Sequence, residues 1–118
     1  MSLTERECKI QSRTMQNIRT QGGYVYKNAQ GMFTEPGRPD VTSCIPVTVK
    51  RLLELYGEDA IVGLFVGIEI KRDGQLSNVS RAQSIVGNKI RSAGGIWIAV
   101  DNSDVVDALI ARLTGDVK

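Results

Sequence analysis

The residues best suited to chemistry are a glutamate and a lysine two positions apart, Glu69 and Lys71, which close an apolar run. Side chains at this spacing on a strand project from the same face, and burying such a charged pair without a role is costly. Upstream, Asp40 opens another extended segment and is a candidate second carboxylate at the same end of a sheet. A simpler interpretation makes Glu69 and Lys71 an exposed ion pair and Asp40 part of a turn.

Two carboxylates held a few ångströms apart repel each other, and a bound divalent cation relieves that repulsion. Ligands that are all oxygen favour Mg²⁺ or Mn²⁺ over Zn²⁺. A lysine beside such an ion can help to deprotonate a water, or can stabilise charge that develops on a phosphate. Asp40, Glu69 and Lys71 together would therefore suit metal-dependent hydrolysis of a phosphodiester.

The composition narrows the chemistry, because the 118 residues include no histidine. This excludes His–Cys zinc sites and catalytic triads that depend on histidine. A hydrophobic content of 42% and a charged content of 24% predict one globular domain over residues 1–118. No run approaches the ~20 apolar residues of a membrane span, and no signal peptide is recognisable, so we predict a cytoplasmic location. Cys8 and Cys44 are predicted to be buried free thiols.

The net charge of +2 is too small to indicate nucleic-acid binding by itself. Its distribution is more informative, because residues 71–91 carry a net +4 and residues 101–118 a net −2. A concentrated positive field is expected of a surface that faces phosphates, although each basic residue taken singly is more often a solvated charge. The candidates for phosphate contact are Arg38, Arg72, Arg81 and Lys89, followed by Lys50, Arg51 and Arg91.

Hydrophobic periodicity and turn signals predict an α/β domain with a mixed central sheet flanked by helices. The predicted helices cover residues 3–20, 47–55, 77–93 and 103–113. The predicted strands cover residues 24–26, 39–46, 61–71 and 96–100. In the first helix, Glu7 shares the predicted inward face with Ile10, Thr14 and Ile18. The third is predicted to begin at Ser77 or Asn78 and to face inward through Val79, Ala82, Val86, Ile90 and Ala93, and the fourth is predicted to be capped by Ser103.

Several short motifs, taken in order, resemble the virus-type replication-repair nuclease (VRR-NUC) family of the restriction-endonuclease-like PD-(D/E)xK superfamily. They are Gly37-Arg38-Pro39-Asp40, Gly67-Ile68-Glu69-Ile70-Lys71-Arg72, Gly74, Gln83 and Gly94-Gly95. The likeness extends over nearly the whole chain and implies the superfamily's α-β-β-β-α-β core. The predicted helix near 47–56 departs from compact members of the family and is interpreted as an insert that packs a partner subunit or contacts DNA.

The resemblance also implies a role for individual residues. Asp40, Glu69 and the backbone carbonyl of Ile70 would bind Mg²⁺ or Mn²⁺, while Glu7 (or Glu5 in its place) would support the metal from the first helix. Lys71 would polarise the attacking water or the scissile phosphate, and Gln83 would lie near the active centre. From the residues alone, Gln83 has an equal claim to be a surface residue near a helix cap.

Stand-alone members of the family resemble phage-encoded nucleases, so the resemblance implies an endonuclease for branched DNA, above all four-way (Holliday) junctions, in the cytoplasm of a host cell. A homodimer with two centres is the economical way for so short a chain to grip a branched substrate. Two alternatives stay open. One is a catalytically inactive DNA-binding or assembly protein on the same fold, and the other is a nuclease for flaps, for unbranched duplex or for RNA.

Overall fold

A computed structural model describes residues 5–29, 31 and 35–115, with Glu5 described by its backbone alone. The helices are α1 (Glu5–Thr20), α2 (Val49–Tyr56), α3 (Arg81–Ser92) and α4 (Ser103–Thr114). The strands are β1 (Tyr24–Lys27), β2 (Val41–Cys44), β3 (Val66–Ile70) and β4 (Ile96–Val100). A short 3₁₀ helix, Leu76–Asn78, precedes α3. None of the helices in these ranges is long and apolar enough to cross a membrane.

The predicted α/β class is confirmed, but the strands pair as two separate sheets and not as the single mixed sheet predicted. β1 and β2 are antiparallel, with Tyr24 opposite Cys44, and β3 and β4 are parallel, with Val66 opposite Ile96. Helix α1 packs on the first sheet, while α3 and α4 pack on the second. The arrangement is also more open than the compact domain predicted, because its Cα radius of gyration is 17.1 Å. A compact domain of this length has about 13 to 14 Å.

The two sheets meet at one end, around a buried cysteine. The Cys44 thiol, at the end of β2, lies 3.6 Å from the carbonyl oxygen of Ala93, just after α3. Nearby, the rings of Tyr24 and Phe65 meet edge to face with their centroids 6.1 Å apart. Burial raises the pKa of the Cys44 thiol, which keeps it protonated. Cys8 is exposed, so the prediction of two buried thiols is wrong for Cys8, which lies near the start of α1 where all the described side chains before Gln11 are exposed.

That inward side of α1 also differs from the predicted one. Ile10 is 57% exposed, and Thr14 and Glu7 are exposed as well. The half-buried positions are Gln11, Met15 and Ile18. The spacing of four and three residues is still that of a helix face, but the face is rotated by about one residue from the one predicted.

The observed ends of three elements differ from the predicted ones, because a local hydrogen bond or strand pairing decides the boundary there and hydrophobicity does not. The predicted strand 61–71 is confirmed only at 66–70, because β4 offers five residues to pair with, and Ile61 is fully exposed. Helix α3 begins at Arg81 and not at Ser77 or Asn78, since Ser80 caps it. Helix α4 is capped by Asn102 and not by Ser103, because the Asn102 side-chain oxygen accepts from the N–H of Asp104 at 3.0 Å.

The inward face of α3 is set by one tryptophan. Ile90 and Ala93 are buried as predicted, whereas Ala82 and Val86 are exposed. Gly87 is the position that lies against the Trp97 ring of β4, and a Cβ built there would be 2.6 Å from Trp97 Cδ2. Of the predicted stripe, only the C-terminal half is therefore confirmed.

Replacing Gly87 tests this packing. Gly87→Ala should lower the free energy of unfolding by about 1–3 kcal/mol, because the added methyl overlaps the indole. That cost should outweigh the ~1 kcal/mol that alanine gains over glycine inside a helix. Urea unfolding measures it, with Gly63→Ala as the control, since no atom lies within 4 Å of a Cβ at Gly63. A Gly87→Ala protein as stable as the parent would contradict the packing.

Candidate active site

Three side chains form a hydrogen-bonded cluster where the end of β3 meets the start of α3. The Lys71 ammonium lies 3.5 Å from Glu69 Oε1 and donates to Gln83 Oε1 at 2.9 Å. The Gln83 amide nitrogen donates to the same Glu69 oxygen at 2.5 Å. The side chains of Lys71 and Glu69 are 17% and 30% exposed, so the pair is partly shielded from water. The structure thus brings together three of the residues singled out in the sequence.

Strand and helix geometry explain why these side chains meet. Glu69 and Lys71 lie on one face of β3, as their spacing predicted. Glu69 pairs across the sheet with Ala99 of β4. A carboxylate at a helix N-terminus is also favoured by the helix dipole and by the unpaired N–H groups there. The first turn of α3 contacts the Glu69 carboxylate through the Gln83 side-chain amide.

The Gln83 amide is fixed by the chemistry of its partners. Ser80 caps α3 by accepting from the Gln83 N–H at 3.1 Å, and the Ser80 N–H donates to Gln83 Oε1 at 2.9 Å. The amide oxygen thus faces two donors, Ser80 and Lys71, while the amide nitrogen faces the acceptor Glu69. A flipped amide would lose all three contacts. Gln83 is therefore both a helix-capping residue and a support for the charged pair, which unites the two interpretations of this residue.

The backbone of Ile70 faces the unpaired edge of β3. Phe65 O accepts from the Ile96 N–H, and the Lys71 N–H donates to Val100 O. Backbone groups alternate sides along a strand, so the odd-numbered residues of β3 bond to β4 and the even-numbered ones point away. The Ile70 carbonyl consequently lies on the edge that no described strand covers. An oxygen at that edge is accessible to a ligand.

Asp40 and Glu7 lie at a different place. They line one open cavity of about 360 Å³ between α1 and the start of β2. The remaining lining residues are Ile10, Gln11, Thr14 and Val41. Both carboxylates are exposed. Two acids on one cavity fit a cation, but they lie beside the first sheet, on α1 and just before β2, whereas Glu69 belongs to the second sheet.

A buried asparagine holds the segment that carries Asp40. Asn28 is 4% exposed, and its amide nitrogen donates to Pro39 O and Thr42 Oγ1, each at 2.8 Å. Its amide oxygen accepts from the Arg38 guanidinium at 3.1 Å, and its backbone N–H donates to Asp40 O at 2.8 Å. All four bonds go to residues 38–42. Asn28 thus fixes the backbone on both sides of Asp40.

The oxygen donors near these residues are few for a bound Mg²⁺ or Mn²⁺. Within residues 5–29, 31 and 35–115, no three acidic or cysteine side chains converge into a group that could hold a metal. A magnesium site often takes only one or two carboxylates and keeps several waters, so Asp40, Glu69 and a backbone carbonyl fit in chemistry and number. Because Asp40 lies beside one sheet and Glu69 on the other, the two carboxylates would have to come closer together to share one ion.

The basic candidates divide among several surfaces. Arg72 lines an open cavity beside Lys71, and Arg38 is held against Asn28. Arg81 is exposed at the first position of α3. Lys89 lines a separate cavity together with Arg19. Two weaker candidates are already engaged, since the Arg91 guanidinium lies over the Trp97 ring, and Arg51 pairs with Glu54 at 3.1 Å.

No protein-family model, no curated protein and no solved structure matches this chain. The resemblance to VRR-NUC nucleases therefore depends on the motif residues themselves. Sequence reasoning did not single out Ser80 or Asn28. The spacing Ser80-Arg81-Ala82-Gln83 is a recognisable capping-box pattern that could have identified Ser80. Nothing in the sequence around Asn28 indicates that its side chain is buried.

Removing the Asn28 side chain should loosen the Asp40 segment. Asn28→Ala should lower the free energy of unfolding by about 1–3 kcal/mol, because three side-chain hydrogen bonds disappear at a buried position. Asn28→Asp should cost a similar amount, since a carboxylate would face the Pro39 carbonyl without a proton to donate. Chemical unfolding measures both variants, with the exposed Asn17→Ala as the control. If Asn28→Ala has the same free energy of unfolding as the control, the hydrogen bonds of Asn28 do not hold the Asp40 segment.

Proposed function

We propose that this protein is a metal-dependent endonuclease for branched DNA, with Asp40, Glu69, Lys71 and Gln83 at its active centre. The observation that carries the proposal is the cluster of Glu69, Lys71 and Gln83. A partly shielded acid and base, fixed by a helix-capping amide, is poorly explained as a device for stability, because exposed or half-buried ion pairs contribute little. Such preorganisation is typical of groups that act on a substrate.

The metal would be Mg²⁺ or Mn²⁺, held by Asp40, Glu69 and the Ile70 carbonyl, with Glu7 in support. When bound, the ion supplies a Lewis acid that activates water and neutralises phosphate charge. Glu69 meets both of its cluster partners through Oε1, so Oε2 is the oxygen for the metal. Asp40 is held to the backbone clamp of Asn28 and presents an exposed carboxylate.

Lys71 would act on the phosphate or on the attacking water. Its ammonium is oriented by Gln83 Oε1 and by Glu69. A cation fixed before the substrate arrives costs no reorganisation when negative charge develops on the phosphate oxygens. Gln83 is in this account a positioning residue, because it holds both Lys71 and Glu69.

The restriction-endonuclease-like core is part of the proposal, and it requires β2 to lie beside the free edge of β3. Cys44 and Phe65, at the meeting ends of the sheets, line one cavity of about 260 Å³. Asp40 is four residues from Cys44, and Ile70 is five residues from Phe65, about 13 and 17 Å of strand respectively. An antiparallel β2 would therefore bring Asp40 level with the end of β3, where Glu69 and Ile70 lie.

The substrate is inferred from charge and from the family resemblance. Arg38 and Arg72 adjoin the candidate acids in sequence, and Arg81 and Lys89 add positive charge along α3. A chain this small contacts few phosphates, so two copies that present two centres suit a four-way junction with paired strands. Flaps, unbranched duplex and RNA are the alternative substrates.

Cleavage assays test the proposal. A labelled four-way junction, a flap, a linear duplex and a matched RNA are incubated with the protein in Mg²⁺ or Mn²⁺. We expect metal-dependent cutting, fastest on the junction, and a loss of about 100-fold or more in Lys71→Met, which keeps the length of the side chain but not its charge. Arg112→Ala, which removes one exposed charge on α4, should cut like the parent.

The rival function is an inactive DNA-binding protein, which is favoured by the separation of Asp40 and Glu69 onto two sheets. If the parent and Lys71→Met both bind the four-way DNA junction tightly but cut it in neither metal, the nuclease proposal is wrong and the DNA-binding rival is supported. Cutting that survives in Lys71→Met would assign the activity to other residues.

Metal binding can be measured without a substrate. A metal held by both sheets should raise the melting temperature of the parent, because only the folded chain binds it. The rise should disappear in Asp40→Asn and in Glu69→Gln but persist in Asp107→Asn, an exposed acid on α4. Thermal scans with Mg²⁺, Mn²⁺ and EDTA give the comparison. If Asp40→Asn keeps the full shift while Glu69→Gln loses it, the metal does not bridge the sheets.

A further inference from the structure

The insert between β2 and β3 leaves an apolar surface that the described chain does not cover. Helix α2 has no buried residue, and Val49, Leu53 and Tyr56 form a stripe that is 72%, 48% and 63% exposed. Their spacing of four and three residues places them on one face. Further exposed apolar residues of this region are Ile45, Val47, Leu55, Ile61, Val62 and Leu64. We call the stripe and these further residues together the α2 surface. An exposed apolar patch of this kind is typical of an interaction site.

The charges of α2 oppose its own helix dipole. Lys50 and Arg51 lie in the first turn, where a positive charge is unfavourable. Glu54 lies in the second half, and Glu58 and Asp59 follow the helix. Only Arg51 and Glu54 form an ion pair within the helix. A lone helix gains from the reverse arrangement, so the charge order of α2 calls for another explanation.

A second copy of the same helix supplies that explanation. When two identical helices pack antiparallel about a twofold axis, the start of each lies against the end of the other. Lys50 and Arg51 of one copy then face the acidic end of the second copy, and each helix dipole is also compensated by its neighbour. The basic start and acidic end of α2 are therefore self-complementary.

The area exposed by the single chain points the same way. Its accessible surface is 9556 Å², whereas a folded monomer of its mass exposes about 6,300 Å². The open arrangement of the two sheets contributes to this excess of roughly 3,000 Å², and so do the uncovered apolar residues of segment 45–64; a standard interface buries ~800 Å² per partner. The segment 45–64 contributes 20 residues, and ~20–30 residues a side form such an interface.

We infer that the α2 surface is the interface of a twofold homodimer, in which two α2 helices pack antiparallel through Val49, Leu53 and Tyr56. The cavity of about 260 Å³ that Cys44 and Phe65 line where the sheets meet extends to α2, and its side next to α2 could receive apolar side chains of the second copy; that side is lined by Ile45, Val47, Leu52, Val62 and Leu64. The proposed function already expects two copies, and the inference adds the surface and the geometry through which they pair, which the candidate active site does not determine.

The experiment measures mass and not activity. Light scattering after gel filtration, with sedimentation equilibrium from about 1 to 100 µM, should give twice the 12.9 kDa of one chain. Leu53→Glu should weaken the dimer about 100-fold or more, because it buries a charge at the centre of the apolar stripe. Ile110→Glu is the matched control, since Ile110 is 53% exposed on α4, outside the surface. Circular dichroism checks that both variants fold.

Charge reversal tests the antiparallel geometry. Lys50→Glu and Glu54→Lys should each weaken the dimer, because each places like charges in opposition, and the double variant should restore it. A monomeric parent at every concentration would overturn the inference, as would a folded Leu53→Glu that stays dimeric. If Ile110→Glu dissociates the dimer, the interface includes α4 and is not the α2 surface. If the double variant does not restore the dimer, the antiparallel pairing is wrong. A dimer without nuclease activity would leave this inference standing while the proposed function fell.

Discussion

The candidate site depends on the hydrogen bonds made by the side-chain amide of Gln83. It accepts from Lys71 and from the Ser80 backbone, and it donates to Glu69. These three partners belong to the end of β3 and to the start of α3, so one planar group determines where the helix begins and how the charged pair is oriented. A shift of one residue in the helix start would move the amide away from both charges. The site and the capping box are thus one structure.

The same principle recurs at the other candidate carboxylate. The Asn28 oxygen accepts from Arg38, and its nitrogen donates to Pro39 O beside Asp40. In both places an amide joins a cation to an acceptor, because a neutral amide offers a donor and an acceptor at a fixed separation without adding charge. A charged residue in either place would repel one of its two neighbours. In both places a neutral amide therefore supports a charged neighbour without adding a charge of its own.

Periodicity predicted the elements well and their junctions poorly. The α/β class, all four helices and the shared face of Glu69 and Lys71 could be read from spacing, because apolar repeats indicate the type of element. The covered face was predicted less well, since it differs from the prediction in α1 and in the first half of α3. The start of α3 could not, since the Ser80 cap depends on a hydrogen bond to one side chain. The length of the strand predicted over 61–71 was too great, because Ile61 is apolar but lies on the exposed α2 surface and not in the core.

The pairing of the sheets is the feature that local sequence reports least. Pattern indicates that β2 and β3 are strands, but their mutual placement depends on contacts across residues 45–65, which include the whole insert. This linker carries α2, whose apolar stripe is not covered by the part of the chain that the structure describes. A partner that covers α2 would also fix the two ends of the linker, one at Cys44 and the other at Val66. If both proposals hold, the approach of Asp40 to Glu69 would be coupled to the surface that α2 presents, and an active centre within one chain would depend on contacts between two.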